Sequence, residues 1–290
     1  MIREIYRKIF VVFFTIIGSN AFVSAATFVV MTCNVRRKGS ESKSEYLWEN
    51  RQEALVQFFK EKKVDILGLQ EPIKEQVTDI ARDLGDTFAW AGEGRGSVWM
   101  GFDTNEYNPI FYNKNMFELK DSGTFRVNKP WWHFFWAPSE VAILPRICTW
   151  VLLREKNGEK CFYVYNTHLD HNSDAARKHA MEVIFDEMQK HKKQEKYPII
   201  FLGDLNTTLT KEYKELLGDH QLKNAYTVAE EKGQLMGTHK LWKKDDEKSD
   251  EQIDYIFVSN EGFAVKKYEI LVAEKIISDH RPVIAEVELT

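Results

Sequence analysis

The feature that most limits how this chain can fold is a series of short β-rich runs, each bordered by a carboxylate, an amide or an imidazole. Residues 27–35 (TFVVMTCNV) carry Asn34 near their end, and residues 64–70 (VDILGLQ) are followed at once by Glu71. Residues 161–167 lead into His168, residues 198–203 into Asp204 and Asn206, and the last run, 282–288, is preceded by Asp279 and His280. Residues 110–112 and 252–258 read as further strands. Helical spacing appears between these runs. Leu47, Trp48, Leu55, Phe58 and Phe59 recur at a helical period within residues 45–62. Residues 72–84 read as a helix with Pro72 suited to its first turn. Ser173 is placed to cap a helix running to about His191, with Ala176, Ala180, Ile184 and Met188 on its apolar face. Alternating helices and strands, with a hairpin among them, predict an α/β sandwich with mixed sheets. Ligands bind beyond strand ends in such folds, so the polar groups at those ends could converge on one site.

The hairpin comes from Asn157-Gly158, a dipeptide that favours a two-residue turn between the runs 147–154 and 161–167. That turn would set Cys148 opposite Thr167 and Cys161 opposite Arg154, which keeps the two cysteines out of step for bridging. With Cys33, these are the only cysteines, too few for a disulfide framework, and all three are expected to be buried free thiols.

Residues 1–25 read as a signal peptide rather than as part of the fold. Arg3, Arg7 and Lys8 precede the apolar run 9–17, and Val23-Ser24-Ala25-Ala26 resembles a cleavage site. The run is shorter than the roughly 20 residues that span a bilayer. The expectation is therefore a secreted or periplasmic protein whose single domain covers residues 26–290. The whole chain has a net charge of -4, and loss of the basic leader would leave it more acidic still. Nothing in that balance points to a basic surface for long nucleic acid.

An all-oxygen set without a cysteine cluster suits a hard cation such as Mg²⁺, or Mn²⁺ in its place. Such an ion can neutralise charge developing on a phosphoryl oxygen, while nearby histidines exchange protons with water or phosphate. Taken singly the residues have ordinary readings: Asp204-Leu205-Asn206 as a turn, Glu71-Pro72 as a helix start, Asp279-His280 as a surface loop.

In this order and spacing, the set resembles the endonuclease/exonuclease/phosphatase superfamily, which includes type I deoxyribonucleases, deadenylases, neutral sphingomyelinases and inositol-polyphosphate 5-phosphatases. The resemblance runs from about Thr27 to Glu288. It implies a four-layered α/β sandwich, with two central mixed β-sheets flanked by helices, and in-line attack of water on phosphorus. In Thr32-Cys33-Asn34-Val35-Arg36, Asn34 would touch the phosphate or the metal site. Glu71 in Leu69-Gln70-Glu71-Pro72 would be the main metal ligand, with Asp279 near the metal. Glu106 would hold His168, and Arg146 in Leu144-Pro145-Arg146 would grip phosphate. Asp204 would orient the water, Asn206 stabilise the phosphate, and Asp254 fix the tautomer of His280, the base or electrophile. Arg36 departs from the abasic-site endonucleases, which place an acidic residue there. The best local match is to uncharacterised bacterial members.

Three functional readings follow. The first is a metal-dependent phosphodiesterase or nuclease. The second is a phosphatase or sphingomyelinase-like phospholipase acting on sugar phosphates or lipid head groups. The third is a binding module that keeps the fold without catalysis, against which the complete residue set argues. The run Trp131-Trp132-His133-Phe134-Phe135-Trp136 could stack a base or sugar, enter a membrane interface, or simply pack. The charged run 240–251 reads as a solvated loop, His171 as a possible rim contact, and no obligate protein partner is evident.

Overall fold

A computed structural model describes residues 27–41, 43–96, 106–128, 144–240, 242 and 251–290. The leader, the aromatic run 131–136 and most of the charged run lie outside the described residues.

In chain order the strands begin with β1 (Thr27–Asn34), β2 (Ile66–Gln70), β3 (Phe88–Ala91), β4 (Ile110–Asn113) and β5 (Phe117–Arg126). They continue with β6 (Ile147–Glu155), β7 (Cys161–His168), β8 (Ile199–Asp204) and β9 (Leu222–Asn224). The last are β10 (Glu231–Lys232), β11 (Asp254–Ser259), β12 (Phe263–Ile270) and β13 (Val283–Leu289). They form two sheets, ordered β10-β12-β13-β1-β2-β4-β3 and β5-β6-β7-β8-β11-β9. Both are mixed: β1 runs parallel to β2 and antiparallel to β13, while β8 runs parallel to β7 and antiparallel to β11.

The helices α1 (Trp48–Glu61) and α2 (Lys74–Leu84) cover the outer face of the first sheet, against Met31, Cys33, Leu67 and Leu69. The long helix α3 (Asp174–Gln194), with α4 (Lys211–Asp219), covers the second sheet against Tyr163, Tyr165 and Phe201. Phe28, Val30, Ile66, Val164, Ile200, Leu202 and Ile256 fill the space between the sheets. The result is the four-layered sandwich that the resemblance implied. Each large apolar side chain so buried contributes about 1.5–3 kcal/mol. The short helix α5 (Ala225–Val228) closes one end of the layer between the sheets.

Most strand-like runs became strands within a residue or two. Ser173 caps α3 by accepting from the Ala176 amide. The hairpin register is the expected one, Cys148 opposite Thr167 and Arg154 opposite Cys161. The turn is longer than two residues, however, because Glu159 at φ 58° takes up the chain reversal and its amide bonds to the Glu155 carbonyl. All three cysteines are free, but Cys161 is only half-buried. Helix α2 starts two residues after Pro72, at Lys74. The sequence reading missed β3, β5, β9, β10, β12, α4 and α5. Several of these lie at sheet edges, where one-sided exposure breaks up continuous apolar runs.

Candidate active site

The strand period of two places the site. In β1, Phe28 and Val30 face the other sheet while Met31 and Cys33 face the helices. Asn34 continues the Phe28–Val30 row. The same phase carries Ile66 to Gln70 in β2, Val164 to Asn166 and His168 in β7, Leu202 to Asp204 in β8, and Ile256 back to Asp254 in β11. The rows between the sheets therefore turn from apolar to polar at one end. Register brings these ends together: Asn34 lies beside Gln70, His168 beside Asp204, and Asp204 beside Asp254. Gln70 and Asn166 then bridge the two sheets, Gln70 Nε2 donating to Asn166 Oδ1 at 2.7 Å. The sequence reading gave these two amides no role, although the same parity points to them.

Two glycines permit this approach. A Cβ on Gly68 would lie 2.1 Å from Leu202 across the sheets. Gly203, at φ 148°, passes so close to β7 that a Cβ would sit 2.0 Å from the Thr167 carbonyl oxygen. Arg36, Glu71 and Asn206 all hold positive φ values of 56°, 70° and 50°. Strained backbone of this kind persists where surrounding bonds over-determine it, and it clusters at functional sites.

Asp204 is the centre. It is buried, with Oδ2 3.6 Å from His168 Nε2 and 3.9 Å from His280 Nε2. The Asn34 amide donates to the same oxygen at 3.0 Å, and the Asn206 backbone amide donates to Oδ1 at 2.9 Å. Burial and then the neighbouring charge of Asp254 push its carboxyl up to about 7. His280 Nδ1 lies 2.8 Å from Asp254 Oδ2. Burial works against a charged ring there, but the Asp254 charge and hydrogen bond, then Asp204 and Asp279, outweigh it and raise His280 to about 10. His168 moves the other way: burial, then Arg146 and His280, hold it well below the usual imidazole range. The site thus holds one cationic and one neutral imidazole on either side of a carboxylate that titrates near neutrality. Asn206 Nδ2 donates to the Leu169 carbonyl at 3.0 Å, which braces the exit of β7.

Beside this group, Glu71 Oε1 accepts from Asn34 Nδ2 at 2.8 Å. Burial would raise the Glu71 carboxyl, but the Asn34 bond and the charges of Arg36 and His280 prevail and hold it below its ordinary value. An ionised, half-buried oxygen donor fits a hard divalent cation. Of the expected ligands, Glu71 offers such an oxygen, while Asn34 and Asp279 are both engaged with Arg36. Asn34 turns its Nδ2 inward and ties its oxygen to the Arg36 amide at 3.0 Å, so it donates to the site rather than offering an oxygen. Glu71 and Asp279 are separated by the Arg36 guanidinium, 3.8 Å from one and 3.6 Å from the other. The compact acidic and imidazole group among the described residues is Asp204, Asp254 and His280, whose donor atoms lie within 4.8 Å of one another. That group could hold an ion. Its closest pair is the Asp254–His280 hydrogen bond, which an ion bound there would have to replace.

The rim also departs from expectation. Glu106 does not hold His168. It takes a 2.9 Å ion pair from Arg95, with Arg37 3.8 Å away. The cause is electrostatic: a half-buried carboxylate is drawn to a buried guanidinium in preference to a neutral imidazole. Arg95 escaped the sequence reading because it stands in no strand-end pattern. Arg146 is buried against Asp170, 3.9 Å away, and one of its terminal nitrogens lies 3.0 Å from His171 Nδ1. The Nε atoms of Arg95 and Arg146 are buried without a hydrogen-bond partner. His239, also given no role, packs its ring 4.8 Å from that of His280.

Behind the site, fully buried Arg51 is a further residue the sequence did not reveal. It donates to the carbonyls of Tyr46, Val35, Arg36 and Ile277 and pairs with Glu41. Ser278 Oγ donates to the Asn34 carbonyl. These bonds lock the turn after Asn34 to the loop that carries Asp279 and His280.

Two mixed sheets flanked by helices, with amides, carboxylates and two histidines gathered at one end, define a phosphoester-hydrolase architecture of the type I deoxyribonuclease kind. The chain belongs to the endonuclease/exonuclease/phosphatase family, whose profile matches residues 31–280. Solved structures agree. A family member from Bacteroides vulgatus is 30% identical, with a TM-score of 0.78 over 91% of this chain and 100% of that one. A mannosyl-6-phosphatase of Bacteroides thetaiotaomicron is 27% identical, with a TM-score of 0.77 over 90% and 99%. The catalytic domain of human nocturnin, at 19% identity and a TM-score of 0.68 over 91% and 94%, shares the fold. Among curated proteins no significant match is found.

Proposed function

We propose that this protein is a divalent-metal-dependent phosphatase that hydrolyses phosphate monoesters, with sugar phosphates as the substrate class. One observation carries the monoester reading: Arg95 and Arg146 are buried beside His168, each with an Nε free of hydrogen bonds, and Arg37 stands next to them. A monoester carries about two charges near neutral pH, and planar guanidiniums match its oxygens. A diester has one unesterified oxygen fewer to accept from these Nε donors, which moves the preference away from the nuclease reading. The similarity to a mannosyl-6-phosphatase points the same way.

Glu71 would hold the cation, which supplies charge stabilisation on the phosphoryl oxygens. Asp204, ionised above about pH 7, takes the proton of the attacking water as its oxygen bonds to phosphorus. His280, cationic through its pairing with Asp254, donates to a phosphoryl oxygen as the bond to the leaving oxygen breaks, and the leaving alkoxide takes its proton from water, while Asn34 Nδ2 holds Glu71 and Asp204 in place. Fixed donors of this kind are worth roughly 2.7–4 kcal/mol each in the transition state.

The test compares p-nitrophenyl phosphate, its bis-ester and mannose 6-phosphate, with Mg²⁺ and with EDTA, for the wild type and Asp204→Ala. Monoester turnover that vanishes in EDTA and falls by at least about 10²-fold in the variant is expected. Faster turnover of the diester would return the assignment to a phosphodiesterase. Export of the chain rests on residues 1–25; the N-terminal sequence of secreted protein, expected to begin near Ala26, checks it.

A further inference from the structure

We propose that Arg36 is a built-in cation that takes the place of a second metal ion, so that the site binds a single divalent ion. The proposal rests on the reading of the site as metal-dependent and adds what limits the number of ions. Glu71 and Asp279 are both shielded from water, and two facing carboxylates in such a place need a countercharge. Arg36 supplies it. Its NH1 lies 3.8 Å from Glu71 Oε2, and its Nε lies 3.6 Å from Asp279 Oδ2. Both spacings are too long for hydrogen bonds, and the Nε is buried with no hydrogen-bond partner. The guanidinium therefore sits in the gap between the two acids without docking tightly on either.

Arg36 is not a rim side chain that has swung inward. Its backbone is held at φ 56°, which a long side chain rarely adopts. Four bonds enforce that conformation: its amide donates to Asn34 Oδ1, and its carbonyl accepts from Arg51 NH2 at 2.8 Å and Gln76 Nε2 at 3.0 Å, while Asn34 is itself tied to Glu71. The turn aims one fixed positive charge at the two carboxylates. A divalent ion bridging Glu71 and Asp279 would have to lie against that charge, and at such short range the repulsion opposes binding even with the guanidinium 33% exposed. An ion on Glu71 alone escapes most of it.

The test is calorimetric titration of the folded full chain with Mn²⁺, which reads ion number independently of turnover. Arg36→Asn removes the charge and suits a positive φ better than arginine does, so the variant should fold. Arg36→Lys keeps the charge. One ion per chain is expected for the wild type and for Arg36→Lys, and two for Arg36→Asn. Two ions in the wild type, or one in Arg36→Asn even with tighter binding, overturns the proposal while leaving metal dependence intact. No Mn²⁺ bound by the wild type overturns both. If Arg36→Asn fails to fold, the wild-type count and that of Arg36→Gln decide by the same criteria.

Discussion

Replacing Asp254 by Asn isolates the electrostatic core of the site. The change is nearly isosteric. The Asp254 side chain is fully buried, one of its oxygens meets His280 Nδ1 at 2.8 Å, and the other has no hydrogen-bond partner, so little packing is disturbed. What disappears is the charge that keeps His280 cationic. Two unit charges about 4 Å apart at an effective dielectric of about 20 interact by about 4 kcal/mol. At about 1.36 kcal/mol per pKa unit, that is roughly three units. His280 would fall from about 10, a value that already includes the cost of burial, towards neutrality. The sign follows: a protonated donor loses its function as pH rises through its pKa. Wild-type kcat should hold until pH approaches about 10, whereas the variant should lose activity from about pH 7 upward. At about pH 8.5 the expected deficit is roughly 30-fold, shrinking as pH falls towards 6. The assay is kcat against pH on p-nitrophenyl phosphate, with the melting temperature of each protein as a control for folding. An alkaline limb that does not move, in a variant that melts like the wild type, would refute the assignment of His280 as a cationic donor held by Asp254.

Three further predictions test the supports around that core. Arg51→Met should destabilise the fold by about 3–5 kcal/mol in urea denaturation, because it strands a buried Glu41 and four carbonyls; a loss under about 1 kcal/mol would mean that the clamp is dispensable. Gly203→Ala meets both a clash with the Thr167 carbonyl and an unfavourable φ, for an expected cost of about 3 kcal/mol or more and a collapse of activity; wild-type stability would contradict the close approach of β7 and β8. Arg146→Ala should lower kcat/KM by about 10²-fold for the monoester and by less for the bis-ester; equal losses on both would remove the basis for the monoester preference.

The strand ends could be read directly. Asn34, Glu71, His168, Asp204, Asp279 and His280 each border an apolar β run, and the alternation within those runs already sets which neighbours share a face. The hairpin register was equally local, since the short turn through Asn157-Gly158 and Glu159 reverses the chain and fixes strand pairing. The charge partners were harder. Glu106 lies far in sequence from both His168 and Arg95, and which of them it meets depends on loop packing that no periodicity records. Arg51 looked like one polar residue on an amphipathic helix. Its burial beneath the β1 turn exists only once α1 has docked on the first sheet.

The sequence by itself determined the layered α/β fold, the family and the identity of the polar groups at the strand ends. It could do so because alternation and spacing are properties of the chain that hold before it folds. Only the tertiary structure decided which of those groups share a proton, which are held apart, and that Arg36 stands between Glu71 and Asp279. The reason is physical: charge interactions depend on distance and burial, and both come into being when the two sheets close on each other and exclude water.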